Sequence, residues 1–322
     1  MYERYYGLRE LPFELTSDPK FLFLTSGQRE ALSNLEYGLS AAKSVTVLIG
    51  EAGTGKTMLL RTALDADTCR HVRCVYLNNP SLTRDEFVTT LAGAFGLGAE
   101  AARSKAVLLA GLEAVLRARK AARETTALVV DEAQCLSMEL LEEIRLLGNI
   151  ETGTEKLLPL VLAGQPELGT QLENPALRQL KQRVVLRCET APFDLRETAA
   201  YMASRIRAAG GAPSALFTQE AVTTIHEASR GIARSVSVIC DNSLVSGMAL
   251  GVPRIDKTIV LEVCRDLALA PVEREVSVDR VVPTGRPAEE APSRRAGQAD
   301  IQALATGEPG PRRFKLFRSG TK

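Results

Sequence analysis

Apolar positions along this chain follow two alternating rhythms. Short continuous runs rich in β-branched residues have the length of buried strands, and longer stretches space apolar residues three and four apart, as an amphipathic helix does. Val45–Ile49 is a run of the first kind, followed by Arg73–Leu77, Ala127–Val130, Leu157–Ala163 and Val184–Arg187. Thr83–Phe95, Ser104–Ala122 and Met138–Gly148 are of the second kind, with Thr83 placed as a cap before Glu86 and Ser137 before the third helix. Strand and helix in alternation predict an α/β fold, a mostly parallel sheet with helices on both faces. After about residue 192 the alternation stops. Asp194–Ala209, Thr218–Ser229, Ile232–Leu250 and Asp256–Leu267 all read as helices, which predicts a small bundle appended to the sheet. The expected organisation is a body over 1–192, a helical lid over 193–270 and a disordered tail over 271–322, where Pro, Gly, Arg and Ala replace any period. No repeat of solenoid length is present, and no apolar run approaches the ~18 residues of a membrane span.

The junction between the first strand and the next helix carries the chemistry. Gly50-Glu51-Ala52-Gly53-Thr54-Gly55-Lys56-Thr57 fits G-x-x-x-x-G-K-[ST], the phosphate-binding loop of nucleotide hydrolases. Glycines let backbone N–H groups approach phosphates closely, and the helix N-terminus adds its positive dipole end. Gly50 through Met58 are therefore the expected nucleotide contacts, with Lys56 reaching the β- and γ-phosphates and the Thr57 hydroxyl holding Mg²⁺. Leu128-Val129-Val130-Asp131-Glu132-Ala133-Gln134 supplies the second half of such a site. An apolar strand delivers two carboxylates to the carboxyl edge of the sheet. Asp131 is the expected Mg²⁺ ligand, directly or through water, and Glu132 the general base that polarises the attacking water. An acidic pair after a strand also reads as a helix N-cap. Its place at the end of a buried strand, about 75 residues after Lys56, favours the nucleotide reading.

Charge narrows the partners. Residues 271–322 hold ten of the 40 Lys/Arg and seven of the 39 Asp/Glu, leaving 30 basic against 32 acidic side chains before them. Bulk charge thus gives no support for non-specific nucleic-acid binding by the body. The chain ends Arg312-Arg313-Phe314-Lys315-Leu316-Phe317-Arg318-Ser319-Gly320-Thr321-Lys322. That end reads as a solvated tail, with a docking peptide for a partner or an anionic membrane surface as the sharper alternative. Cysteines 69, 74, 135, 188, 240 and 264 are scattered with no Cys-x-x-Cys pair, as expected of reduced thiols in the cytosol. Cys69, His71 and Cys74 cluster but lack a fourth metal ligand. The first residues, Met-Tyr-Glu-Arg-Tyr-Tyr, show no signal-peptide pattern.

Phosphate loop, Asp-Glu strand and helical lid together resemble an AAA+ ATPase. Further segments narrow the resemblance: Tyr5-Tyr6-Gly7-Leu8-Arg9-Glu10-Leu11-Pro12-Phe13, Asp18-Pro19-Lys20-Phe21-Leu22-Phe23-Leu24, Leu35-Glu36-Tyr37-Gly38, Leu146-Leu147-Gly148-Asn149-Ile150-Glu151-Thr152, Leu162-Ala163-Gly164-Gln165-Pro166-Glu167-Leu168 and Gly231-Ile232-Ala233-Arg234. These resemble the ATPase domain of the ExeA-type secretion ATPases, the general secretion pathway protein A family, over residues 1 to about 268. The resemblance implies ATP and Mg²⁺ as ligands. It implies Gln165 at the sensor-1 position, Arg183 as an arginine finger acting in trans with Arg178 as the runner-up, and Arg234 as sensor 2 on the lid. Read without the family, Gln165-Pro166 is a strand-ending turn and both arginines are surface side chains near a strand. The family usually has Pro before the sensor-2 arginine, where this chain has Ala233.

The resemblance further implies a homo-oligomer, with a hexameric ring as one form, and secretion or export machinery at the inner membrane as partner. Members described so far continue into a transmembrane segment and a periplasmic peptidoglycan-binding domain. This sequence shows neither, so the expectation is a cytoplasmic ATPase acting beside a membrane partner, peripherally at the inner membrane. Shorter relatives are associated with pilus or exopolysaccharide systems. Two alternatives stand. The same ATPase type resembles transposition regulators that assemble on DNA, against which the acidic body counts. A non-hydrolysing nucleotide switch is the other, against which Glu132 counts.

Overall fold

The structure is a computed structural model that describes residues 1–15, 19–78, 82–153 and 155–269. The expected tail and its basic end lie outside the described residues. Strands β1 (Val45–Gly50), β2 (Val72–Leu77), β3 (Thr125–Val130), β4 (Leu160–Gly164) and β5 (Val184–Thr190) form one parallel sheet in the order β2-β3-β4-β1-β5. The principal helices are α1 (Ser26–Ser40), α2 (Lys56–Asp65), α3 (Arg84–Ala94), α4 (Lys105–Ala121), α5 (Met138–Leu147), α6 (Pro166–Leu172), α7 (Leu195–Ala208), α8 (Gln219–Ser229), α9 (Ala233–Ala249) and α10 (Lys257–Asp266).

Side chains alternate across the pleat, so each central strand feeds two cores. Val45, Val47 and Ile49 of β1, Leu128 and Val130 of β3, and Leu160 and Leu162 of β4 pack with Phe87, Leu112 and Ile144 from α3, α4 and α5. Leu48, Ala127, Val129, Val161 and Ala163 point the other way, onto Leu35 and Leu39 of α1 and Leu59 and Leu60 of α2. Both faces are covered, as a buried parallel sheet requires.

Local signals set most boundaries. The Thr83 hydroxyl accepts from the Glu86 N–H while the Glu86 carboxylate accepts from the Thr83 N–H, a complete capping box, and Ser137 accepts from Leu140 N–H ahead of α5. Thr25 and Gln28 form a third box at the start of α1. Two elements differ from expectation. Leu157 and Leu158 are buried but precede β4, because Pro159 has no N–H to join the ladder. Gln165-Pro166 is not a simple turn: Pro166 occupies the first position of α6, where its fixed φ favours the helix. At the edge, pairing jumps from Val45↔Val184 to Thr46↔Leu186, and the skipped Val185 is exposed.

The helices after β5 build a third core, and the N-terminus belongs to it. Tyr2, Leu8, Phe13 and Phe21 are buried with Met202 and Ile206 of α7, Ile225 of α8, Ile239 and Leu244 of α9 and Val260 of α10. The Tyr6 hydroxyl donates to the Val252 carbonyl at 3.2 Å, and Arg9 N–H to the Ala209 carbonyl at 2.8 Å. Tyr2, Tyr6, Leu8, Phe13 and Phe21 thus clasp the helical unit before the chain enters the sheet.

Leu128 is fully buried in the centre of the sheet. Leu128→Ala is expected to lower stability by about 3 kcal/mol, the transfer and cavity cost of such a truncation. A urea titration showing a loss below about 1 kcal/mol would contradict the packing described here.

Candidate functional site

All five strands end on one edge, and the site is built there. β1 runs into the loop from Gly50 to Gly55, and α2 begins at Lys56. Gly53 and Gly55 have φ of +83° and +96°, a region that a side chain at either position would make costly. Loop N–H groups and the N-terminus of α2 thus share one concavity. The Thr54 hydroxyl is 2.8 Å from that of Thr190 and donates to the Glu51 carbonyl, anchoring the loop to the end of β5. Gln28 of α1, itself buried, donates to the Thr54 carbonyl at 3.1 Å.

Lys56 is only 5 % exposed, and its ammonium donates to the Gly50 carbonyl at 2.8 Å and to the Glu51 carbonyl at 3.1 Å. Burial pushes its pKa down, while the carboxylates of Glu132, Asp131 and Glu51 push it back up. The lysine is therefore held inside the loop by polar atoms that a phosphate can replace.

Beyond the loop, the Thr57 hydroxyl donates to Asp131 Oδ2 at 2.6 Å. The Tyr76 hydroxyl, at the end of β2, donates to the same oxygen at 2.8 Å. Burial and then the neighbouring Asp131 carboxylate raise the Tyr76 pKa, so the phenol stays protonated and remains a donor. Asp131 itself is buried, and its Oδ1 accepts from the Glu132 N–H at 3.0 Å. One hydroxyl and one carboxylate side by side form a hard oxygen pair suited to Mg²⁺, which takes one or two carboxylates plus substrate phosphates rather than a protein cage. Among the described residues no group of three or more His, Cys, Asp and Glu is placed to hold a metal ion.

Glu132 has φ +54°, an uncommon conformation for a residue with a side chain. Gln134 Nε2 donates to Glu132 Oε2 at 2.7 Å, and Gln165 Nε2 reaches the same oxygen at 3.3 Å. Arg234, at the start of α9, meets the loop through its backbone: its N–H donates to the Gly53 carbonyl at 3.2 Å.

Phosphate loop, Thr57, Asp131, Glu132, Gln165 and Arg234 are thus brought together. Arg183 and Arg178 are not. Arg183 precedes β5 at the amino edge, where its Nη1 donates to the Arg145 carbonyl at 3.4 Å. At ~3.3 Å per residue that edge lies about 20 Å from the carboxyl edge. Arg178, itself exposed, opens a short helix, Arg178–Lys181.

The structure adds residues that sequence reasoning missed: Gln28, Tyr76, Gln134 and Thr190. A cleft of about 130 Å³ also opens beside Thr54, Gly55 and Met58, walled by Phe23, Phe193 and Tyr201. Arg205 lies in its wall, 5 % exposed, donating to the Tyr201 hydroxyl, the Ser237 hydroxyl and the Glu14 carbonyl. Its buried Nε has no partner, and among the described residues no carboxylate pairs with it. Thr25 followed three residues later by Gln28 is a capping pattern that could have pointed to Gln28.

Sheet order, loop and carboxylate pair define a P-loop NTPase. Residues 40–172 match the family model described as an AAA domain. The chain is 37% identical over 255 residues to general secretion pathway protein A of Aeromonas hydrophila, covering 79% of this chain and 46% of that protein. It therefore spans about half the length of this relative. Among solved structures it is similar to Cdc6p of Pyrobaculum aerophilum (TM-score 0.60, 19% identity, 79% of this chain and 70% of that one). It is also similar to the ORC2 protein of Aeropyrum pernix (TM-score 0.59, 16% identity, 79% and 71%). At such identities these two share the fold alone. The chain belongs to the AAA family of P-loop NTPases, in the group of general secretion pathway protein A.

Tyr76→Phe removes one of the donors to the buried Asp131 carboxylate. A hydrogen bond to a charged acceptor contributes about 1.5–3 kcal/mol. The variant is expected to lose about 2 kcal/mol in chemical denaturation, and unchanged stability would show that Tyr76 does not support Asp131.

Proposed function

We propose that this chain is a Mg²⁺-dependent ATPase that works as an oligomer and powers or regulates an envelope secretion or export system. The observation that carries the catalytic part is the 2.6 Å contact between Thr57 and Asp131, flanked by Lys56 on one side and Glu132 on the other. Loop N–H groups and the N-terminus of α2 receive the phosphates, and Lys56 leaves the Gly50 and Glu51 carbonyls to pair with the β- and γ-phosphates. Thr57 and Asp131 would hold Mg²⁺, which neutralises charge on the β- and γ-phosphate oxygens. Glu132 polarises the attacking water, and Gln165 orients it or contacts the γ-phosphate. The cleft beside Thr54, Gly55 and Met58 accepts the base and ribose, with Arg234 coupling the lid to the loop.

Arg183 stands at the far edge of its own sheet, so it serves the site of a neighbouring copy. There an arginine neutralises charge on the transferring phosphoryl group, with Arg178 as the second candidate. Secretion as the process, with inner-membrane machinery as partner, is supported by the 37% identity to general secretion pathway protein A. Among the described residues no helix is long and apolar enough to cross a membrane, which is consistent with peripheral attachment.

Lys56→Ala leaves phosphate charge unpaired and is expected to weaken ATP binding by about 3 kcal/mol, roughly a hundredfold. Unchanged affinity by equilibrium titration would overturn the phosphate-loop assignment.

Arg183→Ala should keep ATP affinity and lose turnover about a thousandfold, the scale of an arginine finger. Mixing it with Glu132→Gln should restore activity, because a mixed interface pairs an intact Glu132 with an intact Arg183. Wild-type rate per subunit should also rise with protein concentration. Absence of rescue at every mixing ratio would argue that Arg183 does not act in trans. Stimulation of turnover by duplex DNA, with none by membrane fractions, would move the chain from secretion to transposition.

A further inference from the structure

Gln134 sits two residues beyond Glu132, and the nucleotide chemistry has so far given it no task. Its side-chain amide bridges two strand ends. Nε2 donates to Glu132 Oε2 at 2.7 Å, and Oε1 accepts the backbone N–H of Gln165 at 3.0 Å. These partners fix which way the amide points. A carboxylate oxygen only accepts and a backbone N–H only donates, so the flipped amide would lose both bonds. The backbone of Gln134 is tied as well, its carbonyl accepting from Gln171 Nε2 at 2.9 Å.

The end of β4 is shaped around this bridge. A Cβ at position 164 would lie 2.8 Å from Gln134 Oε1 and 2.9 Å from Leu168 Cδ2, so glycine there leaves space for the amide. Glu132 accepts both of its side-chain hydrogen bonds through Oε2, and Oε1 has no hydrogen-bond partner among the described residues.

We propose that Gln134 is a positioning residue for hydrolysis: it clamps one oxygen of Glu132 against the Gln165 strand end and leaves the other to face the attacking water. The inference rests on the reading of Glu132 as general base. In this arrangement a shift of Gln165 on contact with the γ-phosphate is transmitted to the base through one amide. Gln134 touches no substrate. Its effect falls on turnover and not on nucleotide affinity.

Two variants of the full chain separate the possibilities. Gln134→Glu keeps the length of the side chain and still accepts from the Gln165 N–H, but it presents a second carboxylate to Glu132 in place of a donor. Gln134→Ala removes both contacts. Each is expected to lower kcat at least tenfold, while Kd for a fluorescent ATP analogue stays within about twofold of wild type and the melting temperature of Gln134→Glu is retained. Pairing Gln134→Glu with Glu132→Gln should cost no more than Glu132→Gln alone, because residues that act as one unit are not additive. Wild-type kcat in Gln134→Glu overturns the proposal, as does full additivity with Glu132→Gln. Should Gln134→Ala fail to fold, Gln134→Glu carries the test. Wild-type turnover in Glu132→Gln removes the general-base reading itself, and the clamp with it.

Discussion

Because the five strands run in one direction, every strand of the sheet ends on the same edge. The order β2-β3-β4-β1-β5 then decides what meets there. β1 lies between β4 and β5, so the phosphate loop emerges beside Gly164-Gln165 on one side and Thr190 on the other. β3 lies one strand further on and delivers Asp131 and Glu132, and β2 beyond it delivers Tyr76. No side chain in the site reaches far. The contacts of 2.6 to 3.3 Å among Thr57, Asp131, Tyr76, Glu132, Gln134 and Gln165 follow from strand order and from the short segments that leave each strand. A one-strand permutation would separate them.

The lid inherits its place from the opposite end of the chain. Tyr2, Leu8, Phe13 and Phe21 are buried in the helical unit, while α1, directly after them, is packed on the sheet. Gln28, in the first turn of α1, bonds the Thr54 carbonyl, and Arg234, in the first turn of α9, bonds the Gly53 carbonyl. Adjacent loop residues are therefore tied to two elements that belong to different cores, α1 to the sheet and α9 to the helical unit. On the proposed reading, a phosphate that displaces the loop would act on both ties, a physical route from the nucleotide to the helical unit.

Much of this was legible in the sequence. β1, β3 and β5 announce themselves as apolar runs, the loop carries its own spacing, and Thr83 and Ser137 cap as their side chains predict. What was not legible has a common physical cause. Gln134, Tyr76 and Thr190 are single polar residues whose partners are set by strand order, and no local period reports strand order. The clasp of Tyr2, Phe13 and Phe21 joins residues separated by more than 180 positions from their neighbours in α7 to α10. Leu157 and Leu158 looked like strand because burial and strand share one hydrophobic signature. Pro159 separates the two by withholding a donor.

The arginines show how the same constraint divides binding from turnover. A parallel sheet has two edges, and the residue that precedes β5 falls on the edge away from the phosphate loop. Arg183 is held there at the C-terminal end of α5, where a cation meets unpaired carbonyls and the negative end of the helix dipole. Arg145 beside it forms a two-point pair with Glu142, so its own charge is already matched. On the proposed reading, a single copy carries the residues that hold a nucleotide and lacks one charge needed to cleave it. Supplying that charge from a neighbour would, on that reading, make hydrolysis report assembly and leave nucleotide affinity a property of the single chain.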